Sequence, residues 1–254
     1  MILIISAASI FLYFSIFFIV GTIINNNSIV DIGWGIGFVL IAWVILFIDT
    51  KIILTQWLIT MMVTLWGLRL FYHILKRNLG KPEDFRYQDF RKAWGKYVTV
   101  RAFFQVYMLQ GLLMFIIALP YILIADVDNN INYYLFVFGI VVWIIGFLFE
   151  IIGDHQLKCF IKDSSNKGKL LMTGLWKYTR HPNYFGEAMM WWGLFLIAIA
   201  SNVSWLAILS PITITCLLLF VSGIPILEKS MKKKPGYKEY MEKTSVFIPW
   251  FSKK

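Results

Sequence analysis

The chain has 254 residues, of which 59% are hydrophobic and only 15% charged, where an ordinary soluble domain carries about a quarter charged residues. That balance excludes a water-soluble fold and makes lipid the solvent. The net charge of +10 raises nucleic acid as a partner, but the placement of the charges accounts for it without one.

A helix needs about 20 mostly apolar residues to cross the hydrocarbon core. Seven runs of that kind follow one another: Ile2 to Ile24, Ile29 to Ile48, Ile52 to Leu75, Phe103 to Ala125, Asn132 to Ile152, Asn183 to Ala200 and Trp205 to Leu227. The expected fold is all-α, a polytopic membrane protein forming one membrane-embedded domain over residues 1–254. Tyr121, Tyr133, Tyr134 and Trp205 sit near run ends, where aromatic residues anchor spans at the interface. The first run lacks a charged flank and leads directly into the second, so it is expected to be retained rather than cleaved.

Threading seven spans from an outside N-terminus places Lys76 to Arg101, Asp154 to Arg180 and Glu228 to Lys254 on one side. These segments hold 8, 6 and 8 of the 24 Lys and Arg residues. The other side holds Lys51 and the acidic run Asp126-Val127-Asp128, and Arg69 alone lies inside a span. The basic side is therefore expected to be cytoplasmic, with the C-terminus on it. Its segments mix aromatic with basic residues, unlike disordered linkers, and residues 76–101, 153–182 and 228–254 are expected to form a cap over the helices. Two cysteines, Cys159 and Cys216, suggest no disulfide framework, and the scattered His73, His155 and His181 suggest no metal site.

Ionisable groups inside spans are expensive and mark function by default. Asp31, His73, Glu150 and Glu187 each lie about a turn or less from the cytoplasmic end of their spans, at one common depth. Asn183 and Glu187, four apart, share a helix face. This pattern predicts a shallow polar pocket open to the cytoplasm. Each group also has a plain structural reading: Glu150 as an interfacial residue, His73 as a snorkelling side chain, Asp31 as a helix N-terminal acid, and Asn183 and Glu187 as first-turn caps after Pro182.

The sixth run opens with Gly174-Leu175-Trp176-Lys177-Tyr178-Thr179-Arg180-His181-Pro182-Asn183-Tyr184-Phe185-Gly186-Glu187. Arg180 and His181 supply cationic donors, Pro182 starts a helix and Gly186 permits close backbone approach. The segment resembles the signature of the membrane steroid 5α-reductase and sterol reductase superfamily, which shares an Arg-His-Pro-x-Tyr core with isoprenylcysteine carboxyl methyltransferases. Further matching pieces are Val30-Asp31-Ile32-Gly33-Trp34-Gly35, Arg69, Arg77-Asn78-Leu79-Gly80, Glu83-Asp84-Phe85-Arg86-Tyr87, Gly153-Asp154-His155-Gln156-Leu157, Tyr237, Tyr240 and Phe247-Ile248-Pro249-Trp250. The resemblance covers most of the chain and is closest to a prokaryotic reductase-like branch.

The resemblance implies an NADPH-dependent reductase of a carbon-carbon double bond in a lipophilic substrate that enters from the bilayer. Asn183 and Glu187 match reductase positions in the nicotinamide site. Asp154, Gln156, His181, Tyr184, Tyr237 and Tyr240 complete the implied cofactor set, and Arg77, Arg86, Lys158 and Arg180 would face its phosphates. Steroid 5α-reductases carry a Gln-Glu pair in the second span; here Asp31 and Trp34 stand instead. That departure leaves Asp31, Tyr72 and His73 as competing proton donors, with Glu187 in the reacting centre. The alternatives are an S-adenosylmethionine-dependent methyltransferase and a non-catalytic lipid-binding protein. A composition rich in Ile, Lys and Asn, without an organelle signal, points to a bacterial inner membrane.

Overall fold

The computed structural model describes residues 1–49, 54–126 and 131–252. Helices follow the apolar runs: α1 (Ile2–Ile23), α2 (Ile29–Ile48), α3 (Leu54–Asn78), α4 (Phe85–Ile117), α5 (Tyr133–Lys162), α6 (Pro182–Ala200), α7 (Trp205–Met231) and a short α8 (Tyr237–Lys243). Among the described residues, α1 to α5 and α7 are six helices long and apolar enough to cross a membrane. The protein is thus an all-α polytopic membrane protein. Lys51 and residues 127–128 of the acidic run lie outside the described residues.

The expected run from 183 to 200 does form a helix, α6, but it is not one of those six. Asn183 and Glu187 dilute its apolar content. More than half of α6 is buried, so its polar groups face protein rather than lipid. Two helices outrun their apolar stretches. α5 continues ten residues past Ile152, so Asp154, Gln156 and Lys158 are helical, and α4 begins within the basic segment at Phe85. A 3₁₀ turn at Gly95–Tyr97 interrupts α4, with Gly95 at φ +50°. The fourth run was expected to reach Ala125; α4 breaks at Ala118, because Pro120 cannot continue the ladder of N–H donors, and the chain resumes in short helical turns over Leu119–Ile122 and Leu123–Asp126.

The chain divides into two compact units, Met1–Asn130 with Ser201–Ala207, and Ile131–Ala200 with Ile208–Lys254. In the first, α2 and α3 cross at Gly35 and Gly67. A Cβ on Gly35 would lie 2.4 Å from the Gly67 carbonyl oxygen, so only hydrogen fits. Around that crossing, Trp34, Phe38 and Trp66 meet edge to face, and Phe38, Ile41 and Leu46 are fully buried. The turn between α1 and α2 turns on Asn25 at φ +52°. It docks on the segment before α4 through Asn27 N–H to Glu83 Oε1 at 2.7 Å.

In the second unit, α5 and α6 pack along glycines spaced seven apart: Gly139, Gly146 and Gly153 on α5, Gly186 and Gly193 on α6. Without a hydrophobic driving force between helices in lipid, close van der Waals approach through small residues is what joins them. A Cβ on Gly186 would stand 2.4 Å from the Gly146 carbonyl oxygen, and one on Gly146 would stand 2.6 Å from that of Gly186. Gly146→Val should therefore part the two helices, at a cost of about 3 kcal/mol or more. It should appear as a lowered Tm or loss of the monodisperse peak in detergent, while Ala93→Val at an exposed position should leave both unchanged.

Candidate functional site

The segment leading into α6 is built before the helix starts. Thr179 makes a parallel β-bridge with Ser245, the Arg180 N–H donates to the Ser245 carbonyl at 2.9 Å and the Trp250 N–H donates to the Tyr178 carbonyl at 2.9 Å. The Thr179 hydroxyl donates to the Phe247 carbonyl at 2.8 Å. Residues 245–250 thus form a strap over 178–180. Pro182 then begins α6, where its missing N–H costs no intrahelical bond.

Arg180 is only 7% exposed, and a buried guanidinium must have its donors matched. Nε and Nη2 reach Glu228 Oε1 at 2.9 and 2.8 Å, and Nη1 donates to the carbonyls of Thr244 (2.6 Å) and Met241 (3.2 Å). His181 Nε2 lies 3.3 Å from the same Glu228 oxygen, and its ring stacks on Tyr184 at 5.8 Å between centroids. Tyr240 donates to the Trp176 carbonyl at 2.5 Å. Tyr237 is buried beside it; burial first, then the Glu228 carboxylate, push its hydroxyl up to about 12, so it stays neutral at physiological pH. Arg180, His181, Tyr237 and Tyr240 therefore form one joint between the start of α6, the end of α7 and the C-terminal strap.

A second polar group lies where α5 meets the first turns of α6. The Asn183 amide donates from Nδ2 to Asp154 Oδ1 at 3.2 Å. Its Oδ1 is buried and accepts no hydrogen bond among the described residues, an unmet acceptor of the kind that costs free energy unless a ligand donor meets it. Gly153 makes this approach possible, since a Cβ there would already touch Asn183 N and Pro182 at 3.2 Å. Glu187 follows Asn183 by one turn and is half-buried. On α5, Glu150, Asp154 and Lys158 are spaced four apart and run from buried to half-buried to exposed. Three carboxyls and a carboxamide, with a lysine at the outer end, form an acceptor-rich recess suited to amide donors and ribose hydroxyls. Gln156 plays a supporting part: its Oε1 accepts from the Leu175 N–H at 3.0 Å, against the turn where Gly174 takes φ +61°.

In the first unit, Asp31 accepts from Arg86 Nη2 at 2.8 Å and from the Tyr87 hydroxyl at 2.7 Å. Arg86 also binds Asp84 Oδ1 at 2.8 Å, and Asp84 caps α4 by accepting from the Arg86 N–H at 3.0 Å. Partial burial pulls the Asp84 carboxyl upward, but the hydrogen bonds and charge of Arg86 hold it below the usual carboxylate range. Tyr72, 63% exposed, and His73 lie on the outer surface of α3, with Lys76 Nζ 5.7 Å from the Tyr72 ring centre. Arg77 is exposed one turn further on.

Two residues essential to this geometry were not among the expected site residues. Glu228 is the acid that two adjacent buried bases require, and the nearest available signal was its place at the end of the last apolar run. Tyr87 holds Asp31, and its only mark in the sequence was membership of a matching motif. Glu228→Ala should leave Arg180 buried and unpaired, costing about 3–5 kcal/mol. The double variant Arg180→Met, Glu228→Leu should lose markedly less than that single change, and thermal denaturation of the three proteins in detergent measures the difference.

Residues 17–244 match the family described as "Protein of unknown function (DUF1295)". An uncharacterized protein of Schizosaccharomyces pombe is 26% identical over 73% of this chain and 61% of its own length. The 3-oxo-5-alpha-steroid 4-dehydrogenase 1 of Bos taurus is 38% identical over 58 residues, 23% of each chain. The enzyme of the same name from Mus musculus is 34% identical over 61 residues, 24% of each. The chain thus spans less than two thirds of the length of each of these relatives. No solved structure matches it. With about nine tenths of its length inside that one match, the chain belongs to the DUF1295 family, and over about a quarter of its length it is similar to 3-oxo-5-alpha-steroid 4-dehydrogenases.

Proposed function

We propose that the protein is a membrane-embedded, NADPH-dependent reductase of a carbon-carbon double bond in a lipophilic substrate. The observation that carries this reading is the unmet Asn183 Oδ1 beside Asp154 and one turn from Glu187. The carboxamide of a nicotinamide ring is a donor of the type that acceptor lacks, and carboxylates pair with ribose hydroxyls. NADPH, when bound, supplies the hydride. Asn183 and Asp154 hold and orient the ring end, Glu187 and Tyr184 flank it, and Lys158 stands where α5 emerges, suited to a phosphate. Arg180, committed to Glu228 and two carbonyls, acts in this scheme by fixing the start of α6.

For a conjugated enone, reduction also needs a donor to the carbonyl as negative charge builds there. Of Asp31, Tyr72 and His73, the first accepts from both Arg86 and Tyr87 and so behaves as an anchored carboxylate. That leaves Tyr72 and His73 as the donors. The bilayer is the source of the substrate, and the expected setting is a bacterial inner membrane with the basic side inward.

Titration of the purified protein in detergent with NADPH and with S-adenosylmethionine tests the reading. NADPH should bind, and Asn183→Ala and Glu187→Gln should each weaken it about tenfold, the loss of one to two hydrogen bonds. Binding of S-adenosylmethionine alone would make the protein a methyltransferase. Binding of neither would leave a lipid-binding role. A separate kinetic outcome concerns the proton: Tyr72→Phe or His73→Gln should lower kcat without changing the affinity for NADPH.

A further inference from the structure

A half-open groove of about 580 Å³ lies in the second unit between residues 169–177 and the C-terminal segment. It is separate from the Asn183 recess in its lining. Leu170 and Met172 give it an apolar side, and Lys169, Lys177 and Lys243 give it a basic one. Its single acid, Glu239, is spent on Lys243, with Nζ to Oε1 at 2.8 Å. Lys169 and Lys177 form no close ion pair among the described residues; Lys177 Nζ stands 6.0 Å from the Tyr178 ring centre and Lys169 acts on the Asp163 carboxylate only at longer range, so the groove keeps two ammonium groups open to an anion. The strap that ends at its rim presents Ile248, Trp250 and Phe251, which are 64, 69 and 79% exposed, and Met172 in the groove wall is half exposed.

Bare tryptophan and phenylalanine beside lysines are unfavourable against water alone. They suit the interfacial layer of a bilayer, where aromatic rings settle among headgroups and lysines meet lipid phosphates. We propose that this groove is a binding site for the headgroup of an anionic membrane phospholipid. The phosphate lies between Lys169 and Lys177, the acyl chains leave over Leu170 and Met172, and Trp250 and Phe251 anchor the strap beside them. This assignment is independent of the reductase reading, since it uses none of the recess residues and no cofactor.

Native mass spectrometry of the full chain, released from micelles containing equal phosphatidylglycerol and phosphatidylcholine, reads the site. One phosphatidylglycerol should be retained in preference to phosphatidylcholine. Lys169→Ala with Lys177→Ala should weaken its retention about 30-fold, the loss of two lysine–phosphate contacts. A charge-matched control, Lys232→Ala with Lys233→Ala, should retain it. Equal retention of the two lipids, or equal loss in the control, would overturn the proposal in favour of diffuse charge attraction. Displacement of the lipid by millimolar inorganic phosphate, or by NADPH, would also overturn it, assigning the groove to a soluble phosphate. Trp250→Ser with Phe251→Ser should raise lipid loss on collisional activation if the strap anchors there, and unchanged loss would remove the strap from the site.

Discussion

One carboxylate oxygen, Glu228 Oε1, accepts from Arg180 twice and lies within hydrogen-bond reach of His181. Two adjacent basic residues are buried immediately before α6, and in so buried a place charge is tolerated only when paired and hydrogen-bonded. Once Arg180 is held, its remaining donors fix the Thr244 and Met241 carbonyls, and the strap residues fall into register against Thr179. The direction in which α6 leaves Pro182 follows from this joint. So, together with the Asn183–Asp154 hydrogen bond, does the placement of Asn183 and Glu187. The glycine track between α5 and α6 then fixes the other side of the recess, since Asp154 can reach Asn183 only where Gly153 lets Pro182 approach.

Much of the framework was legible because its causes are local. Length and apolarity of a run decide whether a segment crosses lipid, and six of the seven expected runs became helices of that kind. The position of Pro182 and the four-residue spacing of Asn183 and Glu187 were likewise readable, because helix periodicity alone puts the pair on one face. The limits of α4 and α5 were not. Apolarity marks where a helix leaves the hydrocarbon, but the backbone continues helical as far as its residues permit, and neither Ile152 nor Phe103 is a stop or a start signal.

Partnerships across long separations were the least visible part. Arg180 and Arg86 read as cations free to meet phosphates, because the sequence does not show what the fold places against them. Arg180 pairs with Glu228, 48 residues away, and Arg86 joins its neighbour Asp84 to Asp31, 55 residues away. Asp31 and Tyr87 likewise belonged to separate matching pieces until the fold made them one hydrogen-bonded pair. A buried arginine in such a motif is better read as a demand for a distant carboxylate than as a ready anion site.

The span of 48 residues between Arg180 and Glu228 also has a bearing on biosynthesis. Translation delivers Arg180 and His181 to the membrane surface well before their acid, the Thr244 carbonyl or the strap exists. During that interval α6 has its glycine track against α5 but no anchored start, and its polar first turn can remain in water. The recess is therefore among the last parts of the molecule to take shape, and a nascent chain stalled within α7 would carry an inserted but unfinished site.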